Sequence, residues 1–226
     1  MLQFIKGFNL LIFALFTVFY AYQLFYVLAA LWHDRKKTPM PPAKRLHKYA
    51  AVISARNEST VIGELIHSIK KQNYPAELLD VFVVADNCTD NTAAVARRAG
   101  AIVFERFNRK EVGKGYALDY AFQRIEKDYA AAGYEGYFIF DADNLLDANY
   151  VAEMNKVFDS GCRVITSYRN SKNYDSNWIS AGSALWFLRE AKYLNNSRMI
   201  LGTNCAVSGT GFLVASDVIR AHGGWK

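Results

Sequence analysis

Apolar positions along this chain form one long run and then a series of short ones. Residues 7–32 contain no charged side chain and are dominated by Leu, Phe, Tyr, Ala and Val. Wound as a helix at about 1.5 Å per residue, such a run crosses the roughly 30 Å hydrocarbon core of a bilayer. Beyond Lys48 the runs shorten. Residues 49–54 read as a strand, Arg56-Asn57-Glu58-Ser59 as a polar break, and residues 61–72 as a helix with Ile62, Leu65, Ile66 and Ile69 on one face. The alternation repeats: strand 79–85, polar loop 86–90, short helix 92–98 closed by Gly100, and strand 101–107. A helix from Gly113 to Ala132 follows, then a strand ending at Asp141, and later a strand at 212–215 with a helix starting at Ser216-Asp217. This order predicts an α/β fold, a mostly parallel sheet flanked by helices, preceded by one N-terminal transmembrane helix.

Charge sharpens the division. Residues 1–48 hold Lys6, Arg35, Lys36, Lys37, Lys44, Arg45 and Lys48 against Asp34 alone, so they account for the whole formal charge of +6. A sequence pI near 9.1 therefore does not point to nucleic acid, which is not expected as a partner. The basic excess is juxtamembrane and suits anionic membrane lipid. It lies mainly on the C-terminal side of the apolar run, which by the positive-inside rule leaves the remainder cytoplasmic. A cleaved signal peptide would have an apolar core of only about 7–15 residues. The expected organisation is a membrane anchor over 1–33, a basic linker over 34–48 stiffened by Pro39, Pro41 and Pro42, and one domain over 49–226. Cys88, Cys162 and Cys205 form no C-x-x-C pair, which excludes a disulfide framework and a structural zinc site of that type.

The chemistry-bearing residues stand where the strands end. Asp141-Ala142-Asp143 follows the run Tyr137-Phe138-Ile139-Phe140. In open α/β sheets, ligands gather at the carboxyl ends of strands. Two carboxylates there can hold a hard divalent cation whose other positions go to phosphate oxygens and water. The alternative is that both simply cap a following helix from Leu145. Asp86 can accept a uracil ring N–H or serve an Asx-turn, Glu58 can hold ribose hydroxyls, and Asp90 reads as the N-cap of the helix that follows.

Four motifs in order carry a resemblance: Val52-Ile53-Ser54-Ala55-Arg56-Asn57-Glu58, Val84 through Thr92 around Asp86, Gly113-Lys114-Gly115-Tyr116-Ala117-Leu118, and Asp141-Ala142-Asp143. Together they resemble a family 2 glycosyltransferase of the GT-A fold, over residues 49–226. The N-terminal apolar run is similar to that of membrane-bound polysaccharide and glycolipid synthases. The resemblance implies a cytosolic-face enzyme that binds a UDP-sugar donor and transfers the sugar, with inversion, to a saccharide or lipid acceptor. It implies that Arg56, Asn57 and Glu58 form the first nucleotide-binding loop, that Asp86 recognises uracil, and that Lys114 lies in the next such loop. Asp143, with Asp141 near ribose or metal, would bind Mn²⁺ or Mg²⁺ bridged to the diphosphate. Gly209 and Thr210, in Val207-Ser208-Gly209-Thr210-Gly211-Phe212, resemble the segment beside the donor sugar and acceptor pocket; a glycine-rich turn entering a strand is the other reading.

The resemblance also implies a catalytic base, an aspartate of an E-D type motif expected after a segment like His222-Gly223-Gly224-Trp225. The base is expected beyond Lys226, so the catalytic residue is unassigned and the chain is expected to be the donor-binding part of a longer protein. Two other readings stand beside it: a UDP-sugar-binding membrane protein without its own base, and a sugar nucleotidyltransferase. Against the latter, no G-x-x-x-x-G-K-[ST] loop occurs.

Overall fold

The computed structural model describes residues 1–34 and 40–225. Arg35, Lys36, Lys37 and Pro39 of the expected linker lie outside the described residues. In chain order the elements are α1 (Leu2–Asp34), β1 (Tyr49–Ala55), α2 (Ile62–Lys70), β2 (Leu79–Asp86), α3 (Thr92–Arg98), β3 (Ile102–Arg106), α4 (Lys114–Asp128) and β4 (Gly136–Asp141). Then come α5 (Tyr150–Asp159), β5 (Val164–Thr166), α6 (Trp178–Leu188), a π-helical stretch Arg189–Asn195, α7 (Asn196–Ile200), β6 (Phe212–Ala215) and α8 (Ser216–Ala221). Contacts group these into two units, Met1–Pro39 with Tyr168–Ala206, and Met40–Ser167 with Val207–Lys226. The stretch expected as one domain over 49–226 thus lends a segment to the unit that holds α1.

The larger unit is a six-stranded sheet in the order β3-β2-β1-β4-β6-β5. β1 pairs in parallel with β2 and β4, and β2 with β3, whereas β6 runs antiparallel to both β4 and β5. β1 is buried on both faces, which is why it reads as a continuous apolar run. Its odd-numbered residues Tyr49, Ala51 and Ile53 pack with Ile62, Leu65, Ile66 and Ile69 of α2 and with α5. Ala50 and Val52 face α4 on the other side, where Leu118, Ala121, Phe122 and Ile125 meet Phe82 and Ile139. Each Leu, Ile, Val or Phe among them taken fully out of water contributes about 1.5–3 kcal/mol.

The predicted strands and the α2 face match the structure to within a residue or two at each strand end. The helix predicted over 113–132 ends earlier, at Asp128, and a short 3₁₀ turn, Ala130–Ala132, closes on Gly133 in the left-handed region at φ 68°. No helix starts at Leu145; α5 begins at Tyr150, so Asp141 and Asp143 do not cap one.

At the edge where the strands begin, the segment before β1 is tied down by polar contacts. The Lys44 amide donates to Asp159 Oδ2 (2.7 Å), and the His47 ring reaches Glu135 (2.9 Å) and Asp159 (3.0 Å). Asn155, fully buried, accepts from the His47 amide (3.1 Å) and the Tyr49 hydroxyl (2.8 Å) and donates to the Arg45 carbonyl (2.9 Å). Backbone and side chain polar groups removed from water are thereby paired.

In the smaller unit, Asn177 caps α6, its Oδ1 accepting from the amides of Ile179 and Ser180 at 3.0 Å. The helical stretch that follows packs on α1. Ser197 Oγ donates to the Tyr26 carbonyl (2.6 Å), Arg189 donates to the Gln23 carboxamide, and Ala30 is fully buried.

Candidate functional site

Parallel pairing brings the carboxyl ends of β1, β2 and β4 to one edge of the sheet. Register places Ser54 opposite Asp141 and Val84, and Asp86 opposite Arg106. The loops leaving these ends enclose a cavity of about 340 Å³ lined by Arg56, Glu58, Asp86, Lys114, Asp141 and Asp143, with Gly113 and Ala117. Four separate stretches of sequence therefore supply one cleft.

The first loop is shaped by Asn57, whose φ is 57° and whose Oδ1 accepts from the Thr89 amide (2.8 Å). Asn57 joins two loops and lies outside the cavity lining, unlike Arg56 and Glu58. The Glu58 amide donates to Thr92 Oγ1 (2.8 Å), and Asp90 accepts from the Thr92 amide (3.0 Å) and hydroxyl (2.5 Å). The N-cap position is Asn91, not Asp90 as the sequence reading had it, and Asp90 gathers the start of α3 from two residues before Thr92; the Thr92 hydroxyl foremost holds its carboxyl down at about 2.

Asp86 is buried, and its Oδ1 accepts from Arg106 (2.7 Å) and Asn87 Nδ2 (3.1 Å). Arg106 is equally buried and also reaches Glu111 at 3.5 Å. Asn87, at φ 51°, pairs its carboxamide with both the amide and carbonyl of Asn108 (2.9 and 3.0 Å). The loop leading to Lys114 is thereby docked beside Asp86. Sequence reasoning missed Arg106; the available signal was slight, a cation at the end of β3 directly after the charged Glu105.

Lys114 opens α4 after Gly113, whose φ of 132° only glycine tolerates readily. Its Nζ donates to the Asp141 carboxylate and to the Gly209 carbonyl (2.6 Å). The Asp141 amide donates to Thr210 Oγ1 (2.7 Å), and the Thr210 hydroxyl also bonds Asn144. Gly209 and Thr210 arrive there because β6 is antiparallel: its first residue, Phe212, pairs with Ile139, and the Gly211 amide donates to the Ile139 carbonyl (2.8 Å). Asp143 is exposed, touched by Asn144 Nδ2 at 3.2 Å.

Among the described residues no group of three or more His, Cys, Asp or Glu could cage a metal. Two carboxylates lining an open cavity nonetheless fit a hard cation that keeps water and phosphate oxygens as its remaining ligands. Asp217 belongs to the opposite edge, where Ala215 pairs with Gly136. There Arg163, at 2.6 Å, holds its carboxyl below the usual range. The Cys88 thiol is half-buried, and burial pushes its pKa up, so it is no ready nucleophile.

Residues 47–226 match the family described as "Glycosyltransferase like family 2". The chain belongs to this family. Among curated relatives, the beta-monoglucosyldiacylglycerol synthase of Synechocystis sp. is 25% identical over 181 residues, covering 77% of this chain and 36% of the relative. The low-salt glycan biosynthesis hexosyltransferase of Haloferax volcanii is 33% identical over 112 residues, 50% of this chain and 25% of the relative. The chain spans roughly a third or less of the length of these relatives. Among solved structures, a mannosyltransferase from Pyrobaculum calidifontis in complex with GDP-Man and Mn²⁺ matches with a TM-score of 0.65 at 20% identity, over 94% of this chain and 57% of that one. Glucosyl-3-phosphoglycerate synthase from Mycobacterium tuberculosis, with Mn²⁺, UDP and phosphoglyceric acid, matches with a TM-score of 0.50 at 18% identity, over 76% of this chain and 57% of that one. The fold is GT-A.

Proposed function

We propose that this chain supplies the donor-binding part of a membrane-anchored glycosyltransferase that uses a UDP-sugar. The observation that carries this reading is the convergence of Arg56, Glu58, Asp86, Lys114, Asp141 and Asp143 on one cavity. Asp86, fixed by Arg106, offers its carboxylate to a uracil ring N–H. Glu58 faces ribose hydroxyls, and Lys114 turns from Asp141 toward diphosphate oxygens. Asp143 and Asp141 would hold Mn²⁺ or Mg²⁺, which supplies charge neutralisation for a departing diphosphate. Asn57 orients the first loop from behind the lining, and Gly209 and Thr210 shape the wall beside the donor sugar.

In the transfer, an acceptor hydroxyl oxygen forms a bond to the anomeric carbon from the face opposite the diphosphate. The bond from that carbon to the diphosphate oxygen breaks, and the hydroxyl proton goes to a general base. The acceptor is a saccharide or a lipid, and α1 anchors the chain so that the cleft works at the cytosolic face of the membrane. Protease added to inverted vesicles should digest the sheet unit; full protection would contradict that orientation.

Titration calorimetry with UDP tests the donor site. Binding should require Mn²⁺ or Mg²⁺, and Asp143→Asn should weaken it at least tenfold. Equal UDP affinity with and without the cation, or with and without Asp143, would reject the metal assignment.

A further inference from the structure

α6 is unlike the other helices of the protein that follow α1. Its sequence Trp178–Leu188 contains no charged residue, and none of its residues is buried. Trp178 is 82% exposed, and Ile179, Leu185 and Trp186 lie between 59% and 66%. A helix with this composition is unstable as a water-facing element, because each large apolar side chain left in water forgoes the stabilisation of burial.

Two observations identify what covers it. The first is continuity with α1. The π-helical stretch and α7 that prolong α6 are fastened to α1 at Gln23, through Arg189, and at Tyr26, through Ser197. At about 1.5 Å per residue, a span starting after Lys6 uses up roughly 30 Å of hydrocarbon by about Tyr26. The attachment points on α1 therefore fall at the level where the helix leaves the acyl region. The second is charge. Residues 168–206 carry Arg169, Lys172, Arg189, Lys192 and Arg198 against Asp175 and Glu190, a net +3. The Arg189 and Arg169 guanidiniums lie 5.1 Å from the ring centroids of Trp186 and Phe187. Tryptophan beside arginine is the pairing that suits the boundary between acyl chains and anionic headgroups.

We infer that α6 is a second membrane contact: an interfacial helix that embeds Trp178, Ile179, Leu185 and Trp186 in the anionic leaflet where α1 emerges. The inference rests on the reading of α1 as a membrane anchor. It gives the helix a bilayer surface, not a protein groove, as its partner. It also ties Tyr168–Ala206, a segment inserted between β5 and β6, to the lipid plane.

The test uses the full chain reconstituted in phosphatidylcholine and phosphatidylglycerol vesicles. Four variants each keep one of Trp32, Trp178, Trp186 and Trp225, with Phe at the other three positions. Bromines near the headgroup end of the acyl chains should lower the Trp178 and Trp186 emission at least about twofold and leave Trp225, stacked on Phe122 at 5.4 Å, unchanged. Extraction with alkaline carbonate reads the anchor separately. If the chain is extracted, the anchor reading fails and this inference falls with it. If the chain is retained but Trp178 and Trp186 are quenched no more than Trp225, the anchor stands and the inference alone is overturned. Emission from those two positions that instead changes with protein density in the vesicles would also overturn it, in favour of a second copy of the chain.

Discussion

Removing the Arg106 guanidinium tests both the packing of the cleft and the proposed role of Asp86. The two side chains are only 7% and 6% exposed and meet at 2.7 Å. In Arg106→Met the Asp86 carboxylate would keep a single protein hydrogen bond, the 3.1 Å contact from Asn87. Leaving one partner of a buried pair uncompensated costs about 3–5 kcal/mol. The guanidinium also reaches Glu111, but that contact is open to water and adds at most about 1 kcal/mol. Urea titration in detergent of the full-length chain that keeps Trp225 alone, with Phe at Trp32, Trp178 and Trp186, should therefore show a loss of about 3 kcal/mol or more in its emission-monitored stability. UDP affinity should fall at least tenfold, because Asp86 loses the group that fixes its orientation. Arg106→Lys should recover only part of both, since an ammonium cannot reproduce the planar fork. A double-mutant cycle with Asp86→Asn isolates the pair and should give a coupling of about 2 kcal/mol or more. A stability change below about 0.5 kcal/mol in Arg106→Met would refute the buried pair. A large stability loss with unchanged UDP affinity in the folded fraction would refute Asp86 as the base-reading group.

Other outcomes follow from the packing. Burial opposes ionisation of Glu135, but the hydrogen bond and charge of His47, with the Lys48 amide and Arg45, outweigh it and hold the carboxyl below its usual range. The Lys44 amide first, and then His47, do the same for Asp159. Both folded-state pKa values are depressed, so their stabilisation is complete above the ordinary carboxylate range near pH 4 and is lost as pH falls through the folded values. Acid titration should show that slope flattened in Glu135→Gln; an unchanged slope contradicts the assignment. In Gly136→Ala the new Cβ would sit 3.0 Å from Leu213 Cδ1 and 3.2 Å from the Tyr49 ring, an overpacking worth about 1–3 kcal/mol in chemical denaturation. A neutral result would mean that β4 shifts freely. Asn155→Leu strips the partner from the buried Tyr49 hydroxyl and the His47 amide and should cost about 2 kcal/mol or more, whereas wild-type stability would show that water replaces it.

The order of elements was legible because local pattern controls it. Ile62, Leu65, Ile66 and Ile69 recur at helical spacing, and β1, buried on both faces, carries no charge along its length. The site motifs were legible for a related reason: polar residues that end apolar strands have few places to go but the sheet edge. Asp86 and Asp141 stand at that edge, and Lys114, which the family resemblance singled out, lines the same cavity from the start of α4. Arg106 was not legible, because its partner lies 20 residues away and only the β2–β3 register sets them opposite each other. Asn57 illustrates the same limit: it stands inside the first motif, yet its side chain turns to Thr89 and leaves the lining to its neighbours.

By itself the sequence determined a long apolar helix, an alternating α/β unit and the chemistry carried by its loops, since hydrophobic period and turn residues act over a few positions. Only the tertiary structure decided that β6 enters antiparallel and delivers Gly209 and Thr210 to Lys114 and Asp141. It likewise decided that Tyr168–Ala206 leaves the sheet unit to pack with α1. Strand direction and long-range grouping depend on which surfaces bury one another, and that is a property of the folded chain as a whole.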